Sequence, residues 1–413
     1  MAGHSWRSLL FGVEGWRHFL KSGYAARAKH FDDAPFARDL RGTHVVVTGA
    51  NQGIGFQVAK QLAMQRASVH MVCRSEERGE KALRALKEEV AAANADGSPP
   101  DVTLDVCDVS DAKAVRAFAR AYVESGRPLH CLVNNAGCMV HERTLTPEGV
   151  ETNFATNTLG TYALTEGLLP SLERTAAREK ARDDPSFRQR RSPFLTAAED
   201  FARPASAFLS ARPRLAFDLL QTDRAAFQLR PTPFNSTLPQ THARVIAVSS
   251  AGMLTEKLES RDVEASTSKS FDGTRQYAKG KRHQVALTER WARLAVAKCG
   301  GVGPPADGSG AVGFYAMHPG WCDTDAVKVA LPGFYERLKG KLRSPREGAD
   351  TAAWLCVAPA ETLVSGEFYL DRAVVPKHVW SGSWFGTTYS DAEVDALAEK
   401  LEARLREALS ARR

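Results

Sequence analysis

No apolar run in these 413 residues comes near the roughly 18 residues that a membrane-crossing helix needs. No cleavable secretory leader with an apolar centre opens the chain either. A soluble or peripheral protein is expected. Cysteine is sparse, at 73, 107, 131, 138, 299, 322 and 356: an odd number, with no Cys-x-x-Cys pair. That pattern excludes a disulfide framework and a structural thiolate metal site. Most of these thiols fall on or beside predicted strands, where they pack as small apolar groups. A reducing, intracellular setting is expected, cytoplasmic or peripheral on a membrane, with organelle targeting left open. Basic charge is in excess, +7 overall, but it is absent from the body of the chain. Residues 1–31 carry five Lys/Arg and one Glu, and residues 173–243 carry twelve Arg/Lys and eight Asp/Glu. The remainder is therefore near −1, and no basic groove is available to make nucleic acid a partner.

What is present is an ordered set of motifs. The apolar run His44-Val45-Val46-Val47-Thr48 leads directly into Gly49-Ala50-Asn51-Gln52-Gly53-Ile54-Gly55. Glycines at 49, 53 and 55 suit a tight turn, close backbone approach to a pyrophosphate and close packing of helix on strand, with the phosphates on the helix N-terminus. Far downstream Tyr277 and Lys281 stand four residues apart, one helical turn. Alone, that pair would be an ordinary solvated lysine beside a half-buried tyrosine. After a nucleotide turn it suggests a proton donor.

Strand candidates at 44–48, 68–73, 102–106, 129–134, 244–249, 312–317 and 366–370 alternate with helix-period segments near 54–66, 76–94, 111–124, 149–172, 275–299 and 346–357. Alternation of this kind predicts a Rossmann-type, doubly wound α/β fold: a parallel sheet of about seven strands, right-handed crossovers and helices on both faces. One domain built from 41–172 and 243–372 accounts for the pattern. The glycine turn, Arg74, Asp108, Asn134–Gly137, Ser250 and Pro319–Gly320 all follow their strands, so one sheet edge collects them.

The Thr-Gly-x-x-x-Gly-x-Gly spacing resembles that of the short-chain dehydrogenase/reductase family. Leu132-Val133-Asn134-Asn135-Ala136-Gly137, Asn153–Gly160, Val248-Ser249-Ser250 and His318-Pro319-Gly320 with Thr324 resemble its remaining motifs, in its order. Leu20–Tyr24, Asn134–Val140, Asn153–Tyr162, Phe271–Ala292 and Met317–Trp321 resemble one branch of that family more closely, over roughly 1–172 and 243–372. The resemblance implies an enzyme acting on CH–OH or C=O groups with NAD(P). It assigns Asn157, Ser250, Tyr277 and Lys281 to catalysis. Ser250 would bond the substrate oxygen, Asn157 would anchor a water in the proton path, and Lys281 would hold the nicotinamide ribose. Cofactor contacts would come from Gly49, Asn51, Gln52, Gly53, Ile54, Gly55, Asn135, Ala136, Gly137, Pro319, Gly320 and Thr324, with Asp108 and Val109 at the adenine. Chemistry agrees on the central pair. A phenol ionises near pH ~10, and a lysine one turn on stabilises its ionised form.

Arg74 decides the expected cofactor. An acidic residue at the end of the second strand would take a ribose 2′-hydroxyl; here Cys73-Arg74 favours the 2′-phosphate of NADP(H) over NAD(H). Met253, Leu254, Trp321 and Phe334 lie on the loops that would wall the pocket, so a small apolar carbonyl or alcohol, of lipid, retinoid or steroid type, is the expected substrate. The rivals are an epimerase or dehydratase, whose glycine spacing differs, and a non-catalytic NAD(P)-binding scaffold or redox sensor.

The flanks are less determined. Within 1–40, Trp6, Leu9, Leu10, Val13, Trp16 and Leu20 recur at helical spacing among Arg and Lys. An interfacial helix on an anionic membrane, through residues 1–31, and a helix docked on the catalytic body fit this equally. Residues 173–242, rich in Arg and Pro, read as a mostly disordered insertion hanging from the edge opposite the site. A small domain around Phe187, Phe194, Phe201, Phe208 and Phe217, or an unremoved intron, would look similar. At 388–413, Ser390-Asp391-Ala392-Glu393 opens an amphipathic helix that either docks on its own domain or forms a homodimer.

Overall fold

The strands are β1 (His44–Thr48), β2 (Ser68–Cys73), β3 (Val102–Val106), β4 (Cys131–Asn134), β5 (Ala243–Val248), β6 (Val312–Met317), β7 (Phe368–Leu370) and β8 (Ala373–Val374). They form one sheet of order β3-β2-β1-β4-β5-β6-β7-β8. The computed structural model describes residues 7–8, 11–94, 97–183, 243–298, 312–379 and 386–411. Every pairing from β3 to β7 is parallel, as helical crossovers require. The doubly wound sheet is the one expected.

An eighth strand was not expected. β8 turns back antiparallel on β7 through Asp371 and Arg372, at φ +52° and +61°. Two left-handed residues make a tight hairpin, but neither is the Gly or Asn that would announce one.

Both sheet faces are covered, so the inner strands are largely apolar, while β3, at the edge, carries Thr103 and Asp105 and is only partly buried. Val46, Val72, Leu132, Val245 and Phe314 share one core with the helices Ala112–Glu124, Gly160–Asp183, Gly273–Lys298 and Asp391–Ser410. Val45, Val47, Met71, Val133, Ile246 and Tyr315 share the other with Gly53–Met64, Glu76–Ala93 and Pro345–Val357.

Three peripheral elements settle or correct the sequence reading. The helix expected to stop near 172 continues to Asp183, because its last turns are packed: Ala176 is buried and Thr175 Oγ1 accepts from the Leu129 amide at 2.8 Å. Residues 184–242, the rest of the expected insertion, lie outside the described residues. Asp391–Ser410 has the Ser390/Glu393 capping box and buries Val394, Leu397, Ala398 and Leu401 on its own domain, where Arg290 and Arg293 hold Asp395. The N-terminal segment is docked as well. Phe19 and Leu20 are buried, and extended backbone at Leu20 separates a π-helical turn, Gly15–Phe19, from the helix Lys21–Ala28. Trp6, Leu9 and Leu10 lie outside the described residues, while Val13 and Trp16 stay exposed. No helix among the described residues is long and apolar enough to cross a membrane.

Candidate active site

At the carboxyl edge of β1, Gly49 and Gly53 adopt φ +63° and +58°, conformations that disfavour any side chain. A Cβ on Gly55 would collide with the Asn135 side chain and the Gly49 carbonyl. Asn135 itself is laced to β1: its Nδ2 donates to Thr48 O at 2.8 Å, and its amide and that of Ala136 each donate to Thr48 Oγ1 at 2.9 Å. The Asn135-Ala136-Gly137 turn is thereby clamped against Gly49. Gln52 precedes the helix in extended conformation and its side chain does not cap it, so the first-turn amides after Asn51, those of Ile54 and Gly55 among them, have no side-chain cap and no partner within the helix. A helix start with uncapped donors and a cradle that a Cβ would fill fits a diphosphate. Thr324 closes the other side, its methyl 3.5 Å from where a Cβ on Gly53 would stand, and it caps the helix Asp325–Ala330 that follows. Pro319 and Gly320 lie on the same loop; Gly320, at φ +79°, is packed against the Arg343 guanidinium.

Arg74 and Asp108, placed after β2 and β3, come within 3.9 Å of each other, Arg74 exposed and Asp108 partly so. Asp108 Oδ1 accepts from the amide and hydroxyl of Ser110. Val109 is buried and its carbonyl lies against Gly160.

Tyr277 and Lys281 stand on Gly273–Lys298, and Ser250 follows the end of β5. Burial pushes the Tyr277 phenol up to about 12, with the Ser250 hydroxyl beside it pulling the other way. Ser250 Oγ also accepts from the Gly252 amide at 3.1 Å, starting a 3-10 turn, Ala251–Thr255. Ser249 is turned away: its hydroxyl donates to Lys281 O at 2.8 Å, pinning helix to strand. Lys281 is buried, and its Nζ lies 5.5 Å from the centre of the Tyr277 ring. It donates to Val248 O at 2.7 Å and Gln284 Oε1 at 3.2 Å. Burial pulls its ammonium down to about 8, so its charged form predominates at neutral pH and is lost above it.

Asn157 sits in a π-helical turn, Ala155–Leu159. Its side chain exchanges two hydrogen bonds with the Cys138 backbone, at 2.9 and 2.8 Å. Its carbonyl accepts from Gln284 Nε2 at 2.8 Å and Thr161 Oγ1 at 3.2 Å. Anchoring a water, the role implied by resemblance, would call on the same carbonyl lone pairs.

Comparison with known proteins agrees with this geometry. The family model described as short chain dehydrogenase matches residues 43–181. "Dehydrogenase/reductase SDR family member 12" of Bos taurus is 35% identical over 96% of this chain and 97% of the relative, and its Homo sapiens counterpart 34% over the same shares. The chain belongs to the short-chain dehydrogenase/reductase family. The aligned span reaches past residue 372, where the sequence reading had ended the resemblance. "Retinol dehydrogenase 11" of Homo sapiens is 40% identical over 33% of this chain and 41% of that protein. A crystal structure from Mycobacterium paratuberculosis shares the fold, with TM-score 0.55 and 21% identity over 90% of this chain and 96% of that one.

This short-chain dehydrogenase/reductase holds its site with groups that sequence reasoning passed over. Lys281, Arg282, His283 and Gln284 are consecutive and all buried. Arg282 donates to Met253 O and Lys377 O. His283 donates from Nε2 to Glu259 O at 2.7 Å and faces Thr158 Oγ1 through Nδ1; burial drops it to about 4, so it is neutral. The signal was in the sequence: four polar residues in a row cannot all face water on a helix packed on two sides.

Proposed function

We propose that this oxidoreductase interconverts a carbonyl and an alcohol on a small apolar substrate, using NADP(H). The observation that carries the reading is the convergence of Tyr277, Ser250 and Lys281 at the carboxyl edge of β5. Gly49–Gly55, Asn135–Gly137, Pro319–Gly320 and Thr324 would hold a nicotinamide dinucleotide, which would supply or accept the hydride. In the reducing direction Tyr277 gives its proton to the substrate oxygen while the Ser250 hydroxyl donates to the same atom. The Lys281 charge stabilises the phenolate left behind, which burial alone would disfavour. Asn157 fixes the Cys138 backbone beside them.

Arg74 supports the preference for NADP(H). Its contact with Asp108 is long and exposed, so its guanidinium is free to turn to a 2′-phosphate. Met253 is fully buried in the core and Trp321 packs on Phe19, so the apolar side chains left part-exposed for a substrate are Leu254 and Phe334. Both lie on the loops after Ser250 and Gly320. The retinol named in the similar dehydrogenase is an apolar alcohol of this kind. The test is a panel of retinal, medium-chain aldehydes and ketosteroids with the purified full chain, following NADPH absorbance. Turnover with an apolar carbonyl, faster with NADPH than with NADH, is expected. Tight NADPH binding with no turnover across the panel would overturn the enzymatic reading.

A further inference from the structure

Gln284 is fully buried on the helix that carries Tyr277 and Lys281. Its carboxamide has no freedom in how it faces. The Lys281 ammonium can only donate, so Gln284 Oε1 must meet it, at 3.2 Å. The Asn157 carbonyl can only accept, so Nε2 must meet that, at 2.8 Å, with Thr161 Oγ1 at 3.3 Å on the same nitrogen. One side chain thus ties the catalytic lysine to the π-helical turn, and Val248 O on β5 supplies the other tie at 2.7 Å.

We propose that Gln284 is a positioning residue of the proton-transfer site, holding the Lys281 ammonium between β5 and the Asn157 carbonyl where its charge serves Tyr277. The proposal rests on the reading of Tyr277 and Lys281 as the acid-base pair. Gln284 touches neither substrate nor cofactor and acts through Lys281. An acceptor is required toward the lysine and a donor toward the carbonyl, and glutamine alone among side chains of this size supplies both while staying neutral.

Two variants separate positioning from packing. Gln284→Leu keeps volume and removes both bonds, leaving the buried ammonium a single protein partner. Gln284→Glu keeps shape, gives up the donor and places a carboxylate against Lys281. The Lys281 titration is read directly from the ¹³Cε resonance in lysine-labelled full-length protein, assigned with Lys281→Arg, and needs no substrate. The Leu variant is expected to titrate at least about half a pH unit lower than the unmodified protein, and the Glu variant at least that much higher. The alkaline limb of NADPH-dependent aldehyde reduction should move in the same opposite directions, with kcat falling about tenfold or more and substrate KM changing little.

Equal titration of Lys281 in the Glu variant and the unmodified protein would overturn the proposal, even if the Leu variant fails to fold. So would shifts of the same sign in both variants. The underlying reading fails separately. If Tyr277→Phe reduces the aldehyde as fast as the unmodified protein while the Lys281 shifts appear as expected, Gln284 positions the lysine but the lysine is not part of catalysis.

Discussion

Two titrations at single residues decide how this site works. Burial holds the Tyr277 phenol up near 12, so its protonated form is present throughout the neutral range and reduction is not limited by its supply. Burial moves Lys281 the opposite way, to about 8. Its charged form therefore predominates below that pH and is lost as pH rises through it. If the charge serves Tyr277, kcat for carbonyl reduction should hold through neutrality and fall above about pH 8. A profile flat to pH ~10, the ordinary range of a free lysine, would contradict this. Tyr277→Phe keeps the ring and deletes the proton; turnover should collapse by about 10²-fold or more while the NADPH dissociation constant stays nearly unchanged, as titration of cofactor fluorescence would show. Arg74 provides the corresponding test at the other end of the cofactor. Arg74→Ala should weaken NADPH by about 1.5 kcal/mol, the lower end for a charge-assisted contact, since the side chain is largely exposed, and should leave NADH unaffected. Equal losses for both would make Arg74 structural.

At the scale of elements, the N-terminal segment belongs to the catalytic body. Phe19 meets the ring of His318 edge-on at 4.4 Å and Trp321 at 5.7 Å, and the Trp321 amide donates to Phe19 O at 2.8 Å. Arg343 donates to the carbonyls of His18 and Phe19 while pairing with buried Asp371 at 2.6 Å, and Arg27 reaches the same carboxylate. Arg7 donates to Thr255 O, beside the turn that Ser250 begins. The segment thus braces the loop after β6 and the turn after β5 together. Phe19→Ala should cost about 3 kcal/mol, as truncation of a buried aromatic ring does, seen as a lower denaturation midpoint with its slope unchanged. Deletion of 1–31 should destabilise more. Among the described residues of this segment Val13 and Trp16 are the large apolar side chains left exposed, and Trp16 already has Lys341 over its ring at 5.2 Å. Co-sedimentation with anionic vesicles at low salt should therefore change little on deletion, while stability falls. Vesicle binding abolished with stability intact would restore the interfacial helix.

For the whole molecule, what could be read in the sequence and what could not divide along a physical line. Strands β1, β2, β4, β5 and β6 were legible because each is almost wholly buried and so largely apolar, with Gly or polar punctuation at its carboxyl end, whereas β3, at the sheet edge, is only partly buried and carries Thr103 and Asp105. The placement of Gly49–Gly55, Asn135–Gly137, Ser250 and Pro319–Gly320 on one edge followed from that topology. β8 was not legible, since its turn uses Asp371 and Arg372 rather than glycine, and Gln284 was not, since its role depends on a carbonyl 127 residues away in the chain. The same topology predicts what the segment between Asp183 and Ala243 can affect. The helix that ends at Asp183 leaves the sheet beside Leu129, at the amino end of β4, where Thr175 is bonded, and Ala243 opens β5 at that same edge, one position before the Arg244–Cys131 register. Tyr277, Ser250 and the glycine turn stand at the opposite ends of these strands. Residues 184–242 are thus tethered at both ends away from the site, and closing a shorter connection changes loop entropy by only about 0.6 kcal/mol per halving of its length. Replacing 184–242 with a Gly/Ser linker of about twelve residues, which reaches up to roughly 40 Å, should leave the protein folded and its NADPH affinity within about threefold. A folded replacement variant that no longer binds NADPH would show that this segment reaches across to the carboxyl edge, and that the cofactor site is completed from the far side of the sheet.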